Sequence, residues 1–177
     1  MTRVASRRTL FATLLAALLA ISTVEASASR PPDLSCRLEA EPGAVAGGPV
    51  KVRFTLANRG AKAVRVLKWQ TPLEGFWSDL FDVTLGGTKL AYEGPLMKRG
   101  DPGAEDYVEV APGRSATAVV DLAGPYDLTR PGTYQVGLTR GLADVVREGE
   151  TLPRPRAAHR RRSLACEAID VVVVAPR

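Results

Sequence analysis

From Val50 to Ala57 the chain alternates strictly. Val50, Val52, Phe54 and Leu56 are apolar, and Lys51, Arg53, Thr55 and Ala57 between them are polar or small. A period of two places all four large apolar groups on one face of an extended strand, and a helix would scatter them around its circumference. Asn58-Arg59-Gly60 then turns the chain into a second apolar run, Val64 to Trp69. Past residue 28 no sustained period of 3.6 competes with this pattern; Gly141 to Glu148 is the one short segment that fits a helical turn or two.

The same rhythm continues along the chain. Leu34 to Ala40 is a short strand ended by Glu41-Pro42-Gly43. Phe81, Val83 and Leu85 alternate before Gly86-Gly87, a pair suited to the positive φ angles of a two-residue hairpin, and Lys89 to Tyr92 returns antiparallel. Thr71-Pro72 ahead of Leu73-Glu74-Gly75 forms a corner, because Pro72 presets its own φ and pushes Thr71 towards extended geometry. Tyr107 to Val110, Ser115 to Leu122, Thr133 to Thr139 and Cys166 to Val174 follow, each bounded by Gly or Pro. Val171 to Val174 is dense enough in valine to expect burial on both faces. Turn signals every ~8 to 15 residues predict an all-β, immunoglobulin-like antiparallel sandwich of about seven or eight strands.

The first 28 residues stand apart from this pattern. Arg3, Arg7 and Arg8 precede an apolar core from Leu10 to Ile21, and Ala26-Ser27-Ala28 has the small-x-small form of a signal-peptidase site. The expectation is a signal peptide over 1–28, cleaved between Ala28 and Ser29, and a single sandwich domain over 29–177. A general secretory signal and a twin-arginine signal (Ser6-Arg7-Arg8-Thr9-Leu10-Phe11) both stay open. The destination is the periplasm or the exterior, with no stable membrane insertion, since the apolar run is short for a span. Removing Arg3, Arg7, Arg8 and Glu25 lowers the formal net charge from +5 to +3, and five of the remaining bases are Arg154, Arg156, Arg160, Arg161 and Arg162. The basic pI is therefore a leader plus one loop, expected to be flexible over 147–163, and nucleic acid is not an expected partner.

Two cysteines remain, Cys36 near the start and Cys166 near the end. An even count in an exported chain favours a disulfide, with two free thiols as the alternative. A bridge would close a loop of about 130 residues and contribute on the order of 4–5 kcal/mol in the chain-entropy model.

Little catalytic chemistry is available. His159 is the sole histidine in the sequence and lies among arginines, so a zinc site or a triad with an oriented base cannot be assembled, and no metal, cofactor or catalytic residue is expected. Adjacent acids (Glu105 with Asp106, Glu148 with Glu150) suit a solvated surface. Three features suit binding instead. The corner Thr71, Pro72, Leu73, Glu74, Phe76 and Trp77 offers aromatic and aliphatic anchors in a loop, or else caps the core. Lys98-Arg99 is a basic pair in a Gly/Pro loop. Pro153 to Arg162 has no apolar face and suits a solvated loop or an electrostatic contact.

The order TPLEG (Thr71 to Gly75), Asp79-x-Phe81-x-Val83, a glycine hairpin, Tyr92-x-Gly94 and Lys98-Arg99 resembles the N-terminal pro-region of deuterolysin-type (aspzincin) zinc metalloendopeptidases. Ala111-Pro112-Gly113, Val120-Asp121-Leu122, Tyr126-Asp127-Leu128 and Gly132-Thr133-Tyr134 extend the resemblance, which runs roughly from Leu34 to Leu138. That family's catalytic domain carries a His-Glu-x-x-His zinc helix, which is missing from this sequence. The resemblance thus implies a non-catalytic, pro-region-like domain standing alone that inhibits or assists the folding of a secreted metalloendopeptidase; separately, a monomer is expected. By position, Pro72, Leu73, Glu74 and Phe76 would present the contact loop. A periplasmic adhesion module for cell-wall or glycan ligands is the alternative, and a protease in family name only is the third reading.

Overall fold

A computed structural model describes residues 33–177; the expected leader and its Ala28–Ser29 cleavage point lie outside the described residues. The strands are β1 (Leu34–Ala40), β2 (Lys51–Asn58), β3 (Val64–Leu67), β4 (Phe81–Leu85), β5 (Thr88–Lys89), β6 (Tyr107–Val110), β7 (Ser115–Asp121), β8 (Gly132–Leu138), β9 (Val145–Arg147) and β10 (Ile169–Val173). Among the described residues there is no α-helix, only three single turns of 3-10 helix at Pro72–Glu74, Ala104–Asp106 and Arg156–Ala158.

Three antiparallel sheets result, ordered β1-β2-β7, β10-β8-β4-β5 and β6-β3-β9. The alternation in β2 decides the first. Phe54 stands opposite Leu38 on β1 and Ala118 on β7, and Val52, Phe54 and Leu56 are fully buried on one face. Phe81 and Val83 on β4, Tyr134 and Val136 on β8, and Val171 and Val173 on β10 form the buried face of the second sheet. Both faces meet in one hydrophobic cluster, which makes the fold a β-sandwich. Each fully buried side chain of this size contributes about 1.5–3 kcal/mol relative to an exposed one. Cys36 on β1 is disulfide-bonded to Cys166, with the two Cα atoms 5.2 Å apart and a sequence separation of 130.

The third sheet positions the candidate site. Val64, Val66 and Val110 point into the main core, whereas Leu67, Trp69, Tyr107, Ala143 and Val146 form a second, smaller cluster beside it. The short segment fitted to a helical turn, Gly141 to Glu148, is instead strand at its centre: β9 pairs with β3, Val145 opposite Val66 and Arg147 opposite Val64. The β-branched pair Val145-Val146 favours the pleated surface, and both side chains are buried. The valine run at the end is not buried on both faces either. Val171 and Val173 are buried while Val172 and Val174 are 62% and 52% exposed, because only one face of this sheet packs on the core, and the central strand β8 alternates in the same way. The return of the central hairpin is also shorter than Lys89 to Tyr92, with β5 limited to Thr88–Lys89 and a last ladder bond from the Leu90 amide to the Val83 carbonyl at 2.8 Å.

Candidate functional site

The corner after β3 is built by short-range hydrogen bonds. The Thr71 hydroxyl donates to the Lys68 carbonyl at 2.6 Å and accepts from the Leu73 amide at 3.2 Å, capping the Pro72–Glu74 turn. Gln70 holds a left-handed φ of 61°, uncommon for a residue with a side chain, and aims its amide at Glu74 Oε1, 3.0 Å away. Glu74 Oε2 accepts from the Arg99 guanidinium at 2.6 Å. Arg99 in turn lies over the Trp69 ring, 5.0 Å from its centroid, and the Trp69 indole N–H donates to Asp106 Oδ1 at 3.0 Å. A single relay therefore joins the corner to the loop 93–105 and to the start of β6. Burial raises the Glu74 carboxyl above its ordinary value, against the opposing pull of the Gln70 amide and Arg99.

The six corner residues divide by environment. Thr71 and Pro72 are buried, and Leu73 and Phe76 pack on the main core. Phe76 stacks at a tilt on Phe81, centroids 5.8 Å apart, and edge-on to Tyr126 at 6.3 Å. Glu74 is committed to Arg99. Trp77 points outward, 41% exposed, and its carbonyl accepts from the Met97 amide at 3.0 Å. Leu96 and Met97 are 75% and 44% exposed beside it. The Tyr126 hydroxyl beneath the corner lies 2.8 Å from Asp79 Oδ1 and 3.0 Å from the Phe81 carbonyl; burial, then Asp79, push it far above the usual tyrosine range.

The basic segment 147–163 carries a network of hydrogen bonds to its surroundings. Arg154 is buried, 7% exposed, and donates to Asp144 Oδ1 at 3.0 Å, to the Val145 carbonyl at 3.2 Å and to Glu150 Oε2 at 2.5 Å. Asp144, fully buried, also accepts from the Arg160 amide at 2.8 Å and from the Tyr107 hydroxyl at 2.9 Å. Burial and Asp144 push the Tyr107 phenol up to about 12. Arg156 ties the segment to the loop opposite: its amide donates to Asp101 Oδ1 at 2.8 Å and its guanidinium to the Arg99 carbonyl at 2.7 Å.

Between the corner, loop 93–105 and this basic segment lies an open cleft of about 450 Å³, lined by Trp69, Glu74, Trp77, Met97, Arg99 and Arg161 among others. Of the six corner residues expected to bind, two, Glu74 and Trp77, line it. The two arginine-bearing segments, separated by more than fifty positions in sequence, supply its charge, and no local pattern brings them together. Among the described residues no group of three or more His, Cys, Asp or Glu is placed to hold a metal, and no helix is long and apolar enough to cross a membrane.

No protein-family model matches the chain. Among curated proteins it is 37% identical over 108 residues to the "Extracellular protease" of Aeromonas hydrophila, a match covering 61% of this chain and 30% of that protein. It is 29% identical over 93 residues to the "Probable neutral protease 2 homolog" of Arthroderma benhamiae, covering 51% of this chain and 25% of that one. The chain thus spans less than a third of the length of either relative. The name of the first relative is in keeping with secretion. These similarities support a protease-related family for the chain.

Proposed function

We propose that this chain is an exported, non-catalytic, pro-domain-like module that binds a secreted metalloendopeptidase and inhibits it or assists its folding. The observation that carries the reading is the partial match: 37% identity over 108 residues, confined to 30% of an extracellular protease. The chemistry of the sequence agrees with it, since a lone His159 held against the Arg154 carbonyl at 3.2 Å supplies neither a zinc set nor an oriented base. Within the same proposal, cleavage between Ala28 and Ser29 leaves 29–177 as one domain, monomeric and periplasmic or secreted, and the corner from Thr71 to Trp77 belongs to the partner-binding face.

The test is to mix the purified chain 1:1 with a secreted zinc endopeptidase of its host. A complex on size exclusion, with slowed cleavage or a raised refolding yield, is the expected result. Separate elution with unchanged cleavage and refolding contradicts the reading. The exposed Trp77 indole favours a second reading, a cell-wall or glycan-binding sandwich, which predicts retention on a glycan fraction and no effect on any protease.

A further inference from the structure

We propose that the cleft between Trp77 and Arg161 docks an acidic segment of a partner protein, one in which carboxylates flank a bulky apolar side chain. The inference rests on the partner-binding reading above and adds the chemistry of what is bound.

Two observations lead to that occupant. The first is charge. Lys98, Arg99, Arg156 and Arg161 line the cleft with Glu74 as the one carboxylate among its lining residues. Glu74 is spent on Arg99. Lys98, Arg156 and Arg161 are exposed and take part in no ion pair among the described residues, although nine pairs form elsewhere in the same set. Asp101 flanks the rim and receives the Arg156 amide, which leaves the guanidinium charge uncompensated by contact. Three cations converging on a concave surface attract carboxylates and steer their approach.

The second observation is the apolar floor. Trp77 and Met97, 41% and 44% exposed, are joined by a backbone hydrogen bond and face the same cleft, with Trp69 behind them under the Arg99 guanidinium. An aromatic anchor enclosed by a polar rim is the arrangement found at protein-binding hot spots. A neutral glycan would leave the cations unanswered. A nucleic acid would answer them, but the basic surface is one cleft and not an extended face. An acidic peptide with an apolar anchor satisfies both halves.

The experiment uses the full exported chain with its disulfide formed and a fluorescein-labelled hexapeptide, Asp-Glu-Leu-Phe-Glu-Asp, read by anisotropy. Comparison probes are the peptide with lysine at each acidic position, a hexaglutamate and a heparin oligosaccharide. Expected is saturable binding of the acidic apolar peptide that weakens with salt, at least a ~10-fold loss in Trp77→Ala, and a comparable loss in Lys98→Glu/Arg161→Glu. All three replaced side chains are exposed, so circular dichroism should show the fold retained. Equal binding by parent and both variants overturns the inference. So does the absence of peptide binding, or heparin binding that Trp77→Ala leaves intact, which marks a general polyanion site. The protease is measured in parallel. A protease complex formed equally well by both variants overturns the cleft while sparing the partner reading. Peptide docking lost in both variants, without any protease complex, supports the cleft and removes the metalloendopeptidase.

Discussion

Arg154 and Arg161 lie seven positions apart in one basic segment and differ in every physical respect. Arg154 is buried, with its guanidinium divided between Asp144, Glu150 and the Val145 carbonyl. Arg161 is exposed at the edge of an open cleft and has no ion-pair partner among the described residues. The same contrast separates Asp144, whose oxygens are occupied by Arg154, Arg160 and Tyr107, from Trp77, whose indole faces outward. Pairing and burial, not residue type, divide what holds this part of the molecule together from what remains available to a partner. A charge removed from water is stable only when satisfied, so the closed network is structural; satisfied charges have nothing left to offer a ligand.

The largest effect that can break the comparison is Asp144→Ala. It leaves the Arg154 guanidinium buried beside an empty site and should cost about 3–5 kcal/mol in urea unfolding. The double replacement Asp144→Leu/Arg154→Met, which removes both charges, should regain most of that loss. A cost below about 1 kcal/mol for the single variant would mean the network is no more structural than a surface pair. Glu74→Gln should fall between the two regions, about 1–2 kcal/mol, because its pair with Arg99 forms a wall of the cleft but is only partly screened from water.

Tyr107 sharpens the comparison through pH. Its phenol is held up to about 12 in the folded chain, whereas an unfolded tyrosine titrates near 10. Between these values the unfolded state has released the proton that the folded state retains, so stability falls as pH rises from about 10 to about 12. Tyr107→Phe should cost about 1 kcal/mol at neutral pH and flatten part of that alkaline decline; Tyr126 and Tyr92, both raised by burial and then Asp79, also contribute to it. An unchanged alkaline slope in the variant would remove Tyr107 from the network. The smallest stability effects belong to the cleft: Trp77→Ala and Arg161→Glu should each stay within about 0.5 kcal/mol of the parent.

Much of the sandwich was legible because a period of two is a local property. Val50 to Leu56 marked β2, and Leu34 to Ala40 and Tyr107 to Val110 marked β1 and β6 with their observed bounds. Val145-Val146 was missed because three strand residues between Asp144 and Glu148 are too few to show any period. The valine run misled for a different reason: composition reports apolarity, but the number of layers packed on the sheet decides how many faces are covered. The site was less legible than the fold. Trp77 and Lys98-Arg99 were visible as an aromatic corner and a basic pair, yet their meeting with Arg156 and Arg161 depends on contacts between distant segments. Nothing in the arginine count distinguished Arg154, which is paired inside, from Arg161.

The measurement that bears most directly on the account is a pull-down of the host's secreted proteins on the immobilised chain with its Cys36–Cys166 bond intact. Recovery of a zinc endopeptidase that is inactive while bound, and that Lys98→Glu/Arg161→Glu no longer retains, is the predicted result. Recovery of glycans with no protease, or a protease held equally by parent and variant, would contradict it.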